Sequence, residues 1–514
     1  MIDLFDDRDF EQFRTRGITF QQAQSQIETF RKGFSYSHLL QPCTKGDGIT
    51  VLKKGDLERF GTIYSQSALS SRAMKFVPAS GAASRMFQVL LTAMDQPDTT
   101  SGLTEAERRD LNQFISHIQR YAFYDDLKLV MSKAGWDINA LISKGQYGEV
   151  LEYLLTDQGL NYGHLCKGLI KFHRYPDHCR TPFEEHLVEA AAYTQDKKGV
   201  ARVHFTVSPE HREAVEKHLE EARGRYEKSG VKFQIGLSVQ KPSTDTLAVN
   251  LDNEPFRDRE GSLVFRPGGH GALLENLQEL DGDIIFIKNI DNVVPDRLKG
   301  ETYTYKKALG GLLVEVQDQI FGYLRELAKK NVTDKLLKEA FEFASQKFSV
   351  NASEQIHQGT KQGKVDFLLH KLNRPLRVCG MVKSTGEPGG GPFWVGQYKK
   401  TASPQIVEFS QVNMQSSKQQ EIWASSTHFN PVDIVCGIRD FRGRPFDLKR
   451  YHDPDACFIS TKSMDGKQLK ALELPGLWNG AMAKWNTIFV EVPLITFNPV
   501  KTFLDLLGKA HGPT

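Results

Sequence analysis

The stretch FRPGGHGALLENLQELDGDIIFIKNIDNVVPD, residues 265–296, joins a glycine-rich turn to a helix, a strand and a carboxylate. Its segment DIIFIKN (283–289) holds an apolar run between polar residues, which is typical of a buried strand. Asp291 follows this strand, and open α/β sheets bind their ligands at the carboxyl ends of strands. The stretch therefore predicts an α/β fold with a ligand-binding residue at Asp291.

A carboxylate at this place suits a divalent cation. Mg²⁺ is commonly held by one or two carboxylates together with phosphate oxygens, so Asp291 is a candidate metal ligand. The alternative is structural, because Asp and Asn are also frequent in the turn that follows a strand.

The segments before this stretch alternate between strand and helix. ARVHFTV (201–207) and VKFQIGLSV (231–239) have the composition of strands. Between them, residues 210–230 show an amphipathic helical pattern that ends at Gly230. Strand, helix and strand at this spacing predict a mostly parallel sheet.

A second candidate site lies at a turn of small residues. The predicted strand MKFVP (74–78) leads into ASGAAS (79–84), and a helix is predicted from Arg85. Small side chains let backbone N–H groups approach a phosphate, and the helix N-terminus and Arg85 would attract the anion. The alternative is an ordinary tight turn, since the stretch is neither a Walker loop nor a G-x-G-x-x-G fingerprint.

The remaining pattern suggests how the chain is divided. Apolar residues recur at spacings of three and four in residues 100–165, and the last third is richer in strand patterns. We expect a helical N-terminal region (1–70), a core (71–300) with a helical insertion (90–165), a helical segment (301–371) and a β-rich C-terminal region (372–514).

Composition excludes several classes of protein. The 514 residues carry a formal net charge of +3, without the concentrated basic face expected of a nucleic-acid-binding protein. The six cysteines form no C-x-x-C pair, which argues against a zinc site or a disulfide framework. The N-terminus has no apolar segment typical of a signal peptide, and no run approaches the ~20 apolar residues of a membrane span. We expect a cytoplasmic protein that binds neither nucleic acid nor membrane.

The two candidate sites resemble segments of known enzymes. Residues 265–296 resemble the UDP-sugar pyrophosphorylase pattern P-x-G-H-G, helix, G-x-x-[YF]-[IV]-x-[VI]-x-N-[VI]-D-N. The turn resembles A-G-G-x-G-[ST]-R-[ML] of sugar nucleotidyltransferases, with Ser80 and Ala83 where that family has glycine. These substitutions matter if either position needs a positive φ, which glycine adopts most readily.

Further segments extend the resemblance to the phosphate-binding lysines. CKGLIKFH (166–173) with TPFEEHL (181–187) resembles K-P-K-x-L-[LI]-P-V … P-[LM]-[IL]-E-H, and implies that Lys167, or less favourably Lys171, contacts phosphates. FNPVKTFLDLL (497–507) resembles F-x-P-V-K-x-x-x-D-L-L and assigns the same kind of role to Lys501. A lysine is a flexible point charge that suits phosphate. Each lysine could instead be a solvated surface charge.

The resemblance also implies nucleotide and sugar contacts. VEFS (407–410) resembles a V-V-E-Y-S segment near the sugar, STHFN (426–430) resembles a sugar-side asparagine motif, and SVQKP (238–242) resembles F-x-Q-x-x-x-P near the base. The implied nucleotide-binding residues are Ser80, Gly81, Ala82, Ser84, Gln240, Gly269, His270 and Gly271, and the implied sugar-binding residues are Glu408 and Asn430.

EPGGGPFW (387–394) is expected to be a tight or mobile loop near a bound ligand. With PASGAASRMF and RTPFEEHL, it resembles a bacterial family described only as a domain of unknown function. That resemblance covers most of the chain and supplies no substrate.

Together the resemblances imply a Rossmann-like, GT-A-like nucleotidyltransferase core. They imply transfer of UMP from UTP to a sugar 1-phosphate with release of pyrophosphate, with Mg²⁺ on Asp291 and with Arg85, Lys167 and Lys501 on the phosphates. Two alternatives remain open, namely a nucleotide-sugar-dependent glycosyltransferase and a nucleotide-binding protein without catalysis. The sequence leaves the sugar and the oligomeric state undetermined.

Overall fold

The computed structural model describes residues 4–96, 98, 100–350, 352–386, 389–396 and 402–512. The chain forms two compact units. The larger comprises Met1–Arg72, Gln240–Ile287 and Lys307–Pro493, and the smaller comprises Ala73–Val239, Lys288–Lys306 and Leu494–Thr514.

The smaller unit contains a parallel sheet. Its strands are Ala73–Pro78, Val200–Val207 and Lys232–Val239, with Val200–Val207 in the centre. The helix Arg212–Tyr226 connects the last two strands, as parallel pairing requires a crossover. Val77, Val203, Phe205 and Phe233 belong to one buried core between the sheet and its helices. The predicted strand–helix–strand unit is confirmed.

The segment between the strands Ala73–Pro78 and Val200–Val207 is mostly helical. A core that includes Phe87, Phe114, Phe123 and Leu151 joins its helices into one block. The helices of the smaller unit are Gln88–Met94, Glu105–Ser116, Tyr124–Lys133, Ile138–Ser143, Tyr147–Leu155, Pro182–Tyr193 and Arg212–Tyr226. Two short strands, His173–Arg174 and Cys179–Arg180, pair antiparallel.

The larger unit is built around six paired strands. Its strands lie in the order Thr44–Lys45, Gly48–Thr50, Asn486–Glu491, Leu376–Lys383, Ile434–Gly437 and Ile284–Ile287. The first three of its five pairings are parallel, and Ile434–Gly437 runs antiparallel to both neighbours. His428–Phe429 also pairs antiparallel with Leu376–Lys383. The mixed, mostly parallel α/β class is thus confirmed.

Smaller antiparallel sheets contribute further strands to the larger unit. Gly391–Val395 lies between Leu39–Pro42 and Ser403–Val407, and Phe458–Met464 pairs with Lys467–Glu473. Thr246–Leu247 pairs with Phe265–Arg266. The expected loop at 387–394 is therefore a strand from Gly391 onward, because its backbone groups are paired on both sides, while Glu387 and Pro388 lie outside the described residues.

The helices of the larger unit are Asp7–Arg16, Phe20–Lys32, Lys54–Ala68, Leu273–Gln278, most of Lys299–Leu327, Asp334–Phe348, Glu354–Gln358, Lys361–Leu372 and Ser417–Ala424. The N-terminal region is less purely helical than expected, since residues 39–50 contribute three short strands. In the part of the chain that the structure describes, no helix is long and apolar enough to span a bilayer.

Candidate functional site

The small-residue turn after the strand Ala73–Pro78 is held by backbone hydrogen bonds. Gly81 O accepts from Lys167 N at 2.9 Å, and Ala83 N donates to Leu165 O at 3.0 Å. At the strand end, Ala79 N donates to Thr206 O at 2.8 Å. The turn and the residue Lys167 are therefore fixed together, although more than 80 residues, most of them in the helical segment, separate them in sequence.

The backbone of this turn does not require glycine at the substituted positions. Neither Ser80 nor Ala83 has a positive φ, and a Cβ on Gly81 would meet nothing within 4 Å. The replacement of two family glycines is thus compatible with the conformation of the turn.

The helix that was predicted to begin at Arg85 begins later. Ala83–Arg85 is a single 3₁₀ turn, closed by a hydrogen bond of 2.8 Å from Met86 N to Ala83 O. Phe87 has φ −102° and ψ 15°, outside the α-helical range, so the α-helix starts only at Gln88. Arg85 is exposed and forms no ion pair with any described residue.

Three residues from distant parts of the sequence converge in the smaller unit. Lys167 Nζ and Lys501 Nζ each donate to Asp291 Oδ2 at 2.9 Å. Lys167 Nζ also donates to Val500 O at 2.6 Å. The structure thereby brings together the predicted metal ligand and two of the three predicted phosphate-binding side chains.

Burial and charge set the protonation of this cluster. The side chains of Asp291 and Lys167 are only 9% and 12% exposed, whereas that of Lys501 is 58% exposed. Burial alone would raise the pKa of Asp291, but the Lys167 and Lys501 ammonium groups outweigh it and hold that pKa below its ordinary value. Burial lowers the pKa of Lys167, Asp291 opposes this change, and the nearby charges of Lys501 and Arg85 reinforce it. Two ammonium groups thus share one carboxylate, and the charge of Arg85 acts on Lys167.

Backbone contacts hold Lys501 beside Asp291. Val500 N donates to Asp291 O at 3.1 Å, and Asn498 N donates to Asn292 Oδ1 at 2.9 Å. Beyond this contact, Asp505 Oδ2 accepts from the backbone N–H of Lys501 at 2.7 Å and caps the turn Phe503–Leu507. The C-terminal lysine is therefore attached to a rigid segment.

A buried polar network contacts the backbone immediately before Asp291. Lys75 Nζ donates to His186 Nδ1 at 2.7 Å, which leaves the proton on Nε2 to donate to Ile290 O at 3.2 Å. Glu189 accepts from both Lys75 and Lys288, and all three side chains are at most 2% exposed. His186 lies in the TPFEEHL segment, but its partners Lys75 and Ile290 cannot be recognised from the sequence pattern. We assign it a positioning role, since it binds the carbonyl immediately before Asp291.

Lys171, the alternative phosphate-binding lysine, points elsewhere. Its Nζ pairs with Asp126 at 2.5 Å, on the helical block. The structure therefore favours Lys167 over Lys171 as the lysine beside Asp291.

In the larger unit, a second predicted group is brought together. His270 Nε2 lies 3.3 Å from Glu408 Oε1, and its ring stacks on Trp478 with centroids 4.5 Å apart and planes 5° apart. Trp478 Nε1 and Asn479 Nδ2 donate to the same Glu408 oxygen at 3.2 and 3.0 Å. Burial would raise the pKa of Glu408, but His270 and, to a smaller extent, the Trp478 N–H keep it below its ordinary value.

Trp478 and Asn479 were missed in the sequence because LPGLWNG carries no recognisable motif. Their contribution depends on a fold that brings residue 408 to residue 478.

The glycines around His270 have steric reasons. Gly269 has φ +62°, and a Cβ on Gly271 would lie 2.5 Å from Leu474 Cβ. These two positions therefore require glycine for the turn itself, whichever ligand the turn binds.

The remaining predicted residues are placed differently. Asn430 is 4% exposed, and its side chain donates to Gly380 O at 2.9 Å and accepts from Val432 N at 3.1 Å. Its amide is thus already engaged in holding the backbone. Gln240 is partly exposed, directly after the strand Lys232–Val239. Ser80, Ala82 and Ser84 lie at the surface of the turn, partly or fully exposed.

The donor set around Asp291 fits Mg²⁺ only in the presence of a phosphate ligand. Among the residues that the structure describes, no group of three or more His, Cys, Asp or Glu side chains is arranged to hold a metal. One carboxylate plus phosphate oxygens is an ordinary Mg²⁺ environment, and both lysines bind Asp291 through Oδ2 alone, which leaves Oδ1 for a metal.

Comparison with solved structures finds distant similarity to UDP-sugar pyrophosphorylases. The chain is similar to the UDP-N-acetylglucosamine pyrophosphorylase of Trypanosoma brucei, with 10% identity and a TM-score of 0.49 over 98% of this chain and 79% of that one. It is also similar to the UDP-glucose pyrophosphorylase of Leishmania major, with 12% identity and a TM-score of 0.43 over 97% and 77%. No curated protein matches the sequence.

A family model covers almost the whole chain, from residue 6 to residue 512, and includes both clusters described above. The chain therefore belongs to the family DUF4301, a domain of unknown function.

Proposed function

We propose that this protein is a sugar-1-phosphate nucleotidyltransferase that transfers UMP from UTP to a sugar 1-phosphate and releases pyrophosphate. The observation that carries the proposal is the convergence of Lys167 and Lys501 on one oxygen of Asp291. The cluster has two lysines for one carboxylate, and the charge of Arg85 also acts on Lys167, so the excess of positive charge suits a polyphosphate.

The reaction needs charge stabilisation more than proton transfer. A phosphate oxygen of the sugar 1-phosphate attacks the α-phosphorus of UTP in line, the bond from that phosphorus to the bridging oxygen breaks, and pyrophosphate leaves with the electron pair. The nucleophile is already an anion, so no general base is required. Positioning and neutralisation of the phosphate charges then supply the catalysis.

The two lysines have different environments and are assigned different tasks. Lys167 is nearly buried and tied to Val500 O, so it is a preorganised donor for the triphosphate. Lys501 is half-exposed and free to move from Asp291 to the phosphate of the second substrate. Arg85, exposed at the end of the small-residue turn, would bind the triphosphate from the other side of that turn.

Movement of Lys501 from Asp291 to phosphate would leave more of the Asp291 carboxylate free, and Asp291 is the residue that would hold Mg²⁺. When bound, Mg²⁺ would neutralise charge on the phosphate oxygens. The assignment of UTP and of a sugar rests on the resemblance of residues 267–271 and 407–410 to uridine- and sugar-binding segments.

The proposal is tested by pyrophosphate release. The protein is incubated with UTP, Mg²⁺ and, in turn, hexose 1-phosphates and N-acetylhexosamine 1-phosphates. Release that depends on both substrates supports the proposal, provided that Lys501→Ala purified in parallel lacks it. Consumption of UDP-sugars without pyrophosphate chemistry would favour the glycosyltransferase, and UTP binding without any turnover would favour the non-catalytic protein.

A further inference from the structure

A separate basic pocket lies entirely within the larger unit. It has a volume of about 300 Å³, at the lower end of the range of small-molecule sites. Its cationic side chains are Lys371, Arg374 and Lys484, and no acidic residue is found among those that line it in the described part of the chain. It shares no residue with the lysine–aspartate cluster of the smaller unit.

Arg374 is held in place by neutral groups. Its Nε donates to His370 O at 2.9 Å, its Nη1 donates to Lys484 O at 3.2 Å, and its Nη2 lies 2.9 Å from His370 Nε2. No described carboxylate pairs with Arg374, Lys371 or Lys484. Burial lowers the pKa of both Arg374 and Lys371, and the charge of Arg374 lowers that of Lys371 further. This arrangement lacks a counter-anion.

Two further donors near the pocket are unsatisfied. Trp485, which lines the pocket, is 5% exposed, and its Nε1 has no hydrogen-bond partner among the described residues. Arg377 is fully buried and donates from Nε to Oγ1 of the pocket residue Thr487 at 2.9 Å, while no described residue accepts from its Nη2. Buried donors are normally paired, so these two orphan N–H groups add to the excess of donors around the pocket.

The rest of the wall is apolar. Phe348, Val350, Phe367 and Pro404 line the pocket beside the cations. We propose that this pocket binds a small organic phosphate, with the phosphate on Arg374, Lys371 and Lys484 and the organic part against these apolar side chains. Arginine and lysine donors match a phosphate group, and a ring or short chain would cover the aromatic wall.

The test measures binding of inorganic phosphate and of phenyl phosphate by calorimetry, in the full-length protein. Because phosphate compounds should also bind the lysine–aspartate cluster, the titrations use the Lys501→Ala protein as well as the wild type. The two pocket variants are Arg374→Gln and Lys484→Gln. The native Lys484 side chain is exposed and makes no hydrogen bond to a described residue, so its replacement should leave the fold intact. Lys361→Gln, which removes a charge from the exposed start of the helix Lys361–Leu372, is the matched control.

We expect saturable binding of phenyl phosphate, tighter than that of phosphate, in the wild type, Lys501→Ala and Lys361→Gln proteins. Arg374→Gln and Lys484→Gln should each weaken it about tenfold or more, since each removes a charge-assisted contact. Equal affinity in all proteins, or no saturable binding in the wild type, would overturn the proposal. Phenyl phosphate binding no tighter than inorganic phosphate would overturn the assignment of an organic ligand.

Discussion

Lys501 Nζ lies 2.9 Å from Asp291 Oδ2 across 210 positions of sequence, on the oxygen that Lys167 also contacts. The pairing places the C-terminal segment against the loop that follows the strand Ile284–Ile287. The contribution of this ion pair to stability can be measured without knowing the substrates.

Asp291→Asn should nearly abolish turnover, with a loss in kcat of at least about 10²-fold. The substitution removes the negative charge that orders Lys167 and Lys501, and it also removes the candidate carboxylate ligand for Mg²⁺. The variant should also lower the free energy of unfolding by about 1–3 kcal/mol, because Lys167 is left nearly buried without its carboxylate, while the exposure of Lys501 limits the loss. Circular dichroism during urea unfolding measures the second effect, with the exposed Asp157→Asn as control. Near-normal activity at saturating Mg²⁺ would remove Asp291 from the metal site.

The ion pairs of Asp291 should make stability depend on pH in the acid range. Its pKa in the folded protein is lowered from the ordinary value of 3.8, so the unfolded chain binds its proton at higher pH. The stabilisation is therefore fully present above about pH 4 and is lost as pH falls through the lower pKa of the folded state. The difference in unfolding free energy between wild type and Asp291→Asn should shrink accordingly. A difference that is constant from pH 6 down to pH 2 would contradict the ion pairs.

The sequence pattern predicts much of the fold, because strands of a buried parallel sheet are recognisable as short, nearly continuous apolar runs. The segments 201–207, 231–239 and 283–289 contain strands as predicted, and 210–230 contains the crossover helix. The start of the helix after Arg85 was misplaced, since a 3₁₀ turn leaves no distinct sequence pattern.

The hydrophobic and motif pattern of the sequence does not predict contacts between residues that are far apart in the chain. The resemblance indicated roles for Lys167, Asp291 and Lys501, but only the structure shows that both lysines donate to the same oxygen of Asp291. The buried network of Lys75, His186 and Glu189 could not be predicted, because charged residues in a helix or strand are ordinarily solvated.

UTP with Mg²⁺ should raise the melting temperature more than ATP, GTP or CTP does. The motivation is the turn Pro267–Gly271, which resembles a uracil-binding loop and needs glycine for its positive φ at Gly269. Ligand that binds only the folded state stabilises it by RT ln(1 + [L]/Kd), so a thermal-shift series at equal concentrations ranks the four nucleotides. Mg²⁺ alone is the control. An equal response to all four would remove the uridine assignment.

Glu408→Gln should raise KM for the sugar 1-phosphate about tenfold and change the kinetics of UTP little. The amide keeps an acceptor for Trp478 Nε1 and Asn479 Nδ2, so the local structure should persist while the charge is lost. Steady-state kinetics with each substrate varied in turn provide the measurement. Glu421→Gln, on the exposed face of the helix Ser417–Ala424, is the matched control. An unchanged KM would show that Glu408 only orders its neighbours.

Arg85→Ala and Lys501→Ala should each lower kcat by roughly 10²–10³, the usual effect of losing one donor at a site of developing charge. Arg85→Ala should also weaken triphosphate binding, and Lys501→Ala should act mainly on the sugar 1-phosphate step. Because both act on one phosphate cluster, the double variant should lose less than the product of the two effects. A double-mutant cycle that gives fully multiplicative losses would place the two residues at independent sites.

The most direct measurement follows the α-phosphorus of UTP. Wild-type protein is incubated with Mg²⁺, the sugar 1-phosphate identified by pyrophosphate release, and UTP labelled at either the α- or the γ-phosphate. The α-label should appear in a UDP-sugar and the γ-label in pyrophosphate, at rates that Lys501→Ala lowers by roughly 10²–10³. If the label stays in UTP for every sugar 1-phosphate, or if Lys501→Ala transfers it at the wild-type rate, the Lys167–Asp291–Lys501 cluster is not a nucleotidyl-transfer site.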